Sequence, residues 1–474
     1  MRFSSYGFAI GLVCVLSGVV CSQDWTRFRG PNGSGIAKDP GTLPTNWSPT
    51  ENLQWKVALP GPGSSSPIIV GDKVFVTCWS GYAVNKATPP GDEKDLMRHL
   101  ICVDRNLGKI LWDKEIAPYL PEDPFGRMFA EHGYASHTPV SDGEKVFAFF
   151  GKTGAIAFDL DGKELWRKQV GTGSGDKNWG SSSSPILFED LLICSATAED
   201  HAIVALNKNT GDQVWIQKAD GFSSTWGTPV LVDSGDGNFE LVIGVPNEFW
   251  SLNPRTGKLN WYCTACQDNS YCSSLVAGDA GVVFGFEGRG GGGFAVKAGG
   301  KDDVTKSNIV WKSQVAGRIS SPLYADGNLY VISGGMVSCL DAESGKAHYQ
   351  SRLAGGETSP QASPPPTPPK EDQSQRGTGG GQGEGARASG RRGGGGGGMG
   401  GQDYASPVAG DGKLFYVSRG GDFYVIQLGT EFKRLAVNRV TTDKEDFSAT
   451  PAISNEQIIA RSDKHLYCIG ATKK

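Results

Sequence analysis

The chain of 474 residues has no excess of either charge: 46 basic and 50 acidic side chains give a formal net charge of −4. Without a concentrated positive surface, nucleic-acid binding is excluded as a working reading. No apolar run is long enough to cross a bilayer comfortably, since about 20 residues are needed, and the longest run spans only residues 8–20. A nucleophile elbow and a His-Glu-x-x-His metal pair are both missing. Gly288-Arg289-Gly290 lacks the strand-to-helix context and the Lys-Ser/Thr of a phosphate loop, so it reads as a turn. Asp233-Ser-Gly-Asp236-Gly-Asn238 has the wrong acid spacing for a calcium loop and reads as a hairpin turn. What is abundant is aromatic: 12 Trp, 13 Tyr and 21 Phe, enough to bury a large core and suited to strands.

Arg2, the apolar stretch 8–20 and the small or polar Cys21-Ser22-Gln23 form a signal peptide pattern. Residues 1–22 are therefore expected to be removed and 23–474 to be exported, periplasmic or extracellular. Lipidation at Cys21 is the lesser expectation, because Val20 stands where such a cleavage site needs a small residue.

Ser/Thr-Pro dipeptides divide the rest: Ser66-Pro67, Thr138-Pro139, Ser184-Pro185, Thr228-Pro229, Ser321-Pro322, Ser406-Pro407 and Thr450-Pro451, with Ser274-Leu275 filling the one gap. Steps of roughly 40–50 residues match a four-stranded propeller blade, and the marks predict eight. Each is followed by a hairpin and then by a third strand ending in Asp or Asn, a Gly turn and a Trp: Asp104 to Trp112, Asp159 to Trp166, Asn207 to Trp215, Asn253 to Trp261, with Trp311 and Tyr349 continuing the series. Gly supplies positive φ, and the Trp is large enough to fill the gap between blades. The chain ends on a third strand around Tyr467 but begins with a surplus Trp strand around Trp55. The fold class predicted is all-β: an eight-bladed propeller of four-stranded antiparallel blades, closed by the N-terminal strand, which leaves no open sheet edge at the seam.

Two intervals are long. Extra residues around 79–100 and 116–129 form surface loops able to shape a rim. Residues 359–402 are Pro-rich and then Gly-rich, a composition that buries no core and predicts a disordered insert. Cys102, Cys339 and Cys468 fall on a repeat position held elsewhere by Ala157, Ala205 and Ser251, so they are packing residues. Cys78, at a position held elsewhere by Ser333, Ser418 and Ser462, is a candidate to face Cys102 across a hairpin, a pairing that sequence alone does not decide. Cys263, Cys266 and Cys272 are disulfide candidates in an exported chain; no second Cys-x-x-Cys or nearby His completes a zinc site, and no metal is expected.

Asp24-Trp-Thr-Arg-Phe-Arg-Gly-Pro, His132-Gly-Tyr-Ala-Ser and the recurring Asp/Asn-x-x-x-Gly-x-x-x-Trp resemble the pyrroloquinoline-quinone-like repeat family of exported propellers. The resemblance spans the chain from Asp24 apart from the insert. Its relatives include quinoprotein alcohol dehydrogenases and the propeller lipoprotein of the outer-membrane assembly machine, so it is specific for fold and weak for activity. In the dehydrogenases it implies a quinone in the central funnel, a calcium ion, an Asp base and usually a pair of adjacent cysteines. This sequence has no adjacent cysteines and no motif matching the calcium ligands.

The residues before each Ser/Thr mark should ring the funnel mouth: Tyr134 and His137, Trp179, Trp226, Tyr271 with Cys272, Arg318, Asp403 with Tyr404, and Asp446. Of these, His137, Trp179, Trp226, Tyr271 and Arg318 are the ligand-binding candidates, because they interrupt a pattern of Ser, Gly and Ala. The favoured expectation is a noncatalytic, monomeric scaffold that presents funnel and rim to an envelope protein or a small ligand, with no cofactor. The alternative is an oxidoreductase dependent on pyrroloquinoline quinone and calcium.

Overall fold

Alternating side chains, Gly turns and a large stock of aromatics produce strands throughout. The computed structural model describes residues 24–354 and 404–471, apart from Lys86, Arg127, Asp236, Arg289 and Gly290; the expected leader at 1–22 and insert at 359–402 lie outside the described residues. Eight sheets of four antiparallel strands follow one another around an axis, one of them with a short extra parallel strand, Asp302–Asp303. Blade 1 runs from Ile68–Val70 to Ile110–Ile116, blade 2 from Val140–Ser141 to Glu164–Lys168, and blade 3 from Ile186–Phe188 to Gln213–Lys218. Blades 4, 5 and 6 begin at Val230–Asp233, Val276–Ala277 and Leu323–Ala325, and blade 7 at Val408–Gly410. Blade 8 is shared by the two ends of the described chain: Leu53–Ala58 pairs with His465–Gly470, setting Trp55 opposite Cys468 and Lys56 opposite Tyr467.

The Ser/Thr marks have a single structural meaning. Each backbone N–H donates to the hydroxyl of the next mark around the axis: Ser66 to Thr138 at 2.9 Å, Thr138 to Ser184 at 3.0 Å, Ser184 to Thr228 at 3.0 Å, Thr228 to Ser274 at 2.9 Å, and Ser274 to Ser321 at 3.0 Å. Ser321 to Ser406, Ser406 to Thr450 and Thr450 to Ser66 complete the circle at 3.0, 2.9 and 3.0 Å. Ser274, which lacks the following Pro, takes its place in the ring. A short hydroxyl side chain is required here because it must reach a buried donor in the adjacent blade.

Away from the axis the Trp-Gly pairing locks blade to blade. Trp55, Trp112, Trp166, Trp215 and Trp311 each donate Nε1–H to a carbonyl of the next blade, at 2.7–3.2 Å. The faces of Trp55, Trp166 and Trp215 lie against Gly108, Gly211 and Gly257, whose φ values are 65°, 78° and 72°; an added Cβ would stand 2.5–2.8 Å from the indole. The glycine thus answers two demands at once, positive φ and close approach. Across the strands, Cys102, Ala157, Ala205, Ser251 and Cys339 sit opposite Trp112, Trp166, Trp215, Trp261 and Tyr349, which explains why that position stays small. Cys78 and Cys102 do not face each other: Cys78 lies opposite His99, and Cys102 opposite Phe75, three positions away on the ladder.

Blade 7 has Ala436 at the Trp position, opposite Val425. Trp47, from the segment before blade 8, packs on Phe415 and Phe423 in its stead, with ring centroids 6.4 and 5.8 Å apart.

Candidate functional site

One end of the axis is closed by the segment that follows Asp24. Trp25 exchanges two backbone hydrogen bonds with Ile69 of blade 1, and the Thr26 carbonyl accepts from Ser141 of blade 2. Arg27 reaches the Pro229 carbonyl of blade 4 at 3.4 Å, Arg29 the Pro322 carbonyl of blade 6, and Ala37 pairs with Ala409 of blade 7 at 2.8 Å. A segment that touches blades 1, 2, 4, 6 and 7 has to cross the axis, and Phe28 at its middle forms part of the cavity wall. Burial lowers both guanidiniums, Arg27 to about 10 and Arg29 to about 9, the latter also through the charge of Arg27. Both stay protonated at neutral pH. In the sequence this stretch is marked only as part of the family resemblance.

Above this plug the axis opens into a cavity of about 150 Å³ whose wall is the Ser/Thr ring, capped by Trp179, Trp226, Cys272, Arg318 and Tyr404. Trp179 and Trp226 lie with centroids 4.9 Å apart at 35°, and Lys177 Nζ stands over both rings at 5.2 and 5.9 Å, a cation–π arrangement. The pair is fixed from behind. Trp226 Nε1–H donates to the Gly180 carbonyl at 2.8 Å. His132 Nε2–H donates to the Trp179 carbonyl at 2.7 Å while its Nδ1 meets Ser136 Oγ at 2.6 Å, so both ring nitrogens are engaged in positioning. Arg318 is half-buried, has no carboxylate partner among the described residues, and has a buried Nε without a hydrogen-bond partner. Among the described residues no Asp or Glu lines this cavity.

Three of the five ligand candidates, Trp179, Trp226 and Arg318, therefore meet at the funnel. His137 and Tyr271 do not. His137 is 5% exposed, edge-on to Phe149 at 4.7 Å, and bonded through Nε2 to Ser181 Oγ at 3.0 Å; Ser181 Oγ in turn donates to Glu199. Burial, then the nearby Arg98, lowers His137 to about 3, while burial raises Glu199 to about 7. Tyr271 is 1% exposed and packs against Phe249, 5.9 Å away. Offset from the Ser/Thr mark does not by itself separate them: Tyr271 and Arg318 each stand three residues before their marks, and only Arg318 lines the cavity. Asp446 lines a neighbouring groove, and Asp403 lies outside the described residues.

Cys263, Cys266 and Cys272 are unpaired thiols in this structure. Cys263 ends the outer strand of blade 4, whereas Cys272 stands on the funnel wall, so the two occupy different depths of the blade. The loop between them is held by Glu287, whose Oε2 accepts the N–H groups of Gln267 and Asp268 at 2.7 and 2.8 Å. Burial raises Cys266 well above the ordinary thiol range.

One further polar line has the connectivity of a nucleophile relay. Asp113 Oδ1 meets His99 Nδ1 at 2.9 Å, and His99 Nε2 meets Ser80 Oγ at 2.8 Å. The three residues sit on three adjacent strands of blade 1, and Ser80 lines neither the axial cavity nor the neighbouring groove, so the line ties strands together.

Comparison with known proteins agrees with the fold. The family model of the outer membrane protein assembly factor BamB matches residues 97–284. Among solved structures, BamB from Moraxella catarrhalis superposes with a TM-score of 0.55 at 11% identity, covering 88% of this chain and 96% of that one. A europium-containing methanol dehydrogenase gives 0.58 at 12% identity, covering 94% and 98%. The quinohemoprotein alcohol dehydrogenase from Comamonas testosteroni gives 0.57 at 11% identity, covering 95% and 81%. No curated protein matches the chain. Identities this low establish a shared propeller architecture, and the resemblance read from the repeats stands at that level.

Proposed function

We propose that this chain is an exported, monomeric binding module of the cell envelope that engages its partner or ligand through the funnel mouth and the rim loops, without a quinone. The observation that carries this reading is the donor set of the axial cavity. A quinone working with a divalent cation needs oxygen ligands, carboxylates above all, and a base within hydrogen-bond reach of the substrate hydroxyl. Among the described residues the cavity offers hydroxyls, indoles, a thiol and one guanidinium, and no carboxylate. His132, the imidazole on the wall, has both nitrogens occupied in holding Ser136 and Trp179. The described residues therefore do not fit a metal-assisted quinone site. The absence of any described helix long and apolar enough to cross a membrane is compatible with export, as is the likeness to an outer-membrane assembly factor.

The dehydrogenase reading is favoured by one observation, the tilted Trp179–Trp226 pair, which presents an aromatic surface to a flat ring. Reconstitution with pyrroloquinoline quinone and calcium, followed by dye-linked oxidation of alcohols and sugars, separates the two. The binding module gives no turnover above a denatured control; turnover that is lost in Trp226→Ala would establish the dehydrogenase.

A further inference from the structure

Beside the funnel lies a second cavity of about 600 Å³, inside the range of about 300–1,000 Å³ typical of ligand sites. It exists because blade 1 is longer than the repeat requires. The hairpin excursion at 81–96 and the connection at 117–136 share one apolar cluster that includes Trp79, Leu96, Phe129 and Tyr134, with Tyr82 and Phe125 packed against it. Trp79 meets Tyr134 edge-on at 5.9 Å, and Phe125 stacks on Tyr134 at 6.1 Å. These contacts make the two excursions a single fixed wall, from which Val84 projects 48% exposed into the groove. The facing wall is the Leu59 to Gly63 linker and the blade 8 turn that carries Asp463.

The charges of this groove do not balance evenly. Arg419 lies 2.7 Å from both Glu131 and Asp446 and serves those two carboxylates together. Asp463 has no cation at ion-pair distance among the described residues; its Oδ1 accepts the Asp446 N–H at 2.9 Å. Lys464 turns away to the Lys444 carbonyl at 3.1 Å, and His465 gives Nδ1 to Glu445 at 2.9 Å. Burial, with Asp446 beside it, pushes the Asp463 carboxyl above its usual range. A carboxylate with no ion-pair partner among the described residues, facing an apolar wall, suits one ammonium or guanidinium better than a divalent ion, which needs several oxygen ligands.

We propose that this groove binds an extended segment of a partner protein, with one Lys or Arg side chain at Asp463 and flanking apolar side chains against Val84 and Phe125. The flanks are required because a free amine would leave the Val84 wall in water, and a cationic head on an apolar frame satisfies both halves of the groove. This assignment rests on the binding-module reading and is independent of what the funnel holds.

The probe is a capped, fluorescein-labelled Leu-Leu-Lys-Leu-Leu peptide, with glutamate-centred and norleucine-centred counterparts, titrated with the full chain by fluorescence anisotropy. The lysine peptide is expected to bind about tenfold more tightly than the glutamate one, roughly the worth of one partly buried charge pair. Asp463→Asn, which keeps the oxygen that accepts the Asp446 N–H, should erase that preference without lowering the thermal midpoint, and Val84→Asn, which removes the apolar contact without adding charge, should weaken all three peptides. Absence of binding to the lysine peptide, equal affinity for lysine and glutamate, or a preference that survives Asp463→Asn overturns the assignment. Loss of binding in Trp226→Ala alone also overturns it, by moving the peptide to the funnel. Failure here removes the groove only, whereas dye-linked turnover in the quinone experiment removes the binding-module reading itself.

Discussion

The backbone N–H of Thr450 donates to Ser66 Oγ at 3.0 Å across 384 positions of sequence, the link that turns a row of seven hydroxyl contacts into a closed circle. Replacing Ser66 by Ala leaves the buried Thr450 N–H without an acceptor, and an unsatisfied buried donor costs about 1–3 kcal/mol. Ser66→Ala is therefore expected to lower the urea midpoint clearly, and Ser66→Thr, which keeps the oxygen, to lower it much less. Equal losses in the two variants would refute the ring's contribution.

Gly257 and Gly327 share a left-handed φ, 72° and 73°, yet only Gly257 lies against an indole, that of Trp215. Gly327→Ala is expected to lose about 1–2 kcal/mol from backbone conformation alone. Gly257→Ala should lose that and a further ~1–3 kcal/mol for overpacking, and equilibrium unfolding of the two variants side by side measures the difference.

The buried line His137–Ser181–Glu199 sets a pH window. His137 falls from 6.5 to about 3 on folding, so its contribution to stability grows as pH rises from 3 to 6.5; Glu199 rises from 4.5 to about 7, so its contribution is lost as pH rises through 7. Between 4.5 and 6.5 the two slopes oppose each other. Glu199→Gln removes the loss at the alkaline side, and its thermal midpoint relative to the parent chain should improve from pH 5 to pH 8. A gap that stays constant over that range would falsify the assignment of the proton to Glu199.

Thiol chemistry should follow position. Cys272 is half-buried on the funnel wall, with burial raising it to about 11, whereas Cys263 and Cys266 are buried beneath the blade 4 loop. Iodoacetamide under native conditions at pH 8 is expected to modify Cys272 before either of the others, slowly because little thiolate is present. Peptide mass spectrometry after short exposures gives the order, and early modification at Cys266 would contradict the placement.

The blade count and the seam were legible because each blade states its own landmarks locally. Ser66 through Thr450 and the Gly-Trp spacing mark the same places in every repeat, and Ser274 could be recognised without its Pro. What stayed hidden depends on contacts between distant segments. Nothing near Phe28 says that it crosses the axis, since its neighbours Arg27 and Arg29 find their carbonyls in blades 4 and 6. Trp47 replaces a tryptophan missing from a blade nearly 400 residues later in the chain, so no repeat alignment reveals it. The funnel candidates divided by packing that spacing does not carry: Tyr271 and Arg318 stand at the same distance from their marks, but Tyr271 packs on Phe249 while Arg318 reaches the cavity. Trp226, two residues before its mark, faces the cavity; His137, one residue before its own, turns between blades and becomes part of the proton-sensitive line instead.

Blade 8 also imposes an order of events. Its outer strand, Leu53–Ala58, emerges early, while the strand it pairs with, His465–Gly470, comes from the far end of the described chain. At about 5–20 residues per second of synthesis, the first strand waits roughly 20–80 s for its partner. During that interval blade 1 lacks a neighbour on one side and the early strand has no sheet to join, so the nascent chain stays open to proteases and to pairing with other chains until His465–Gly470 has been made. A protein built this way has its vulnerability in time rather than in any one part of its surface.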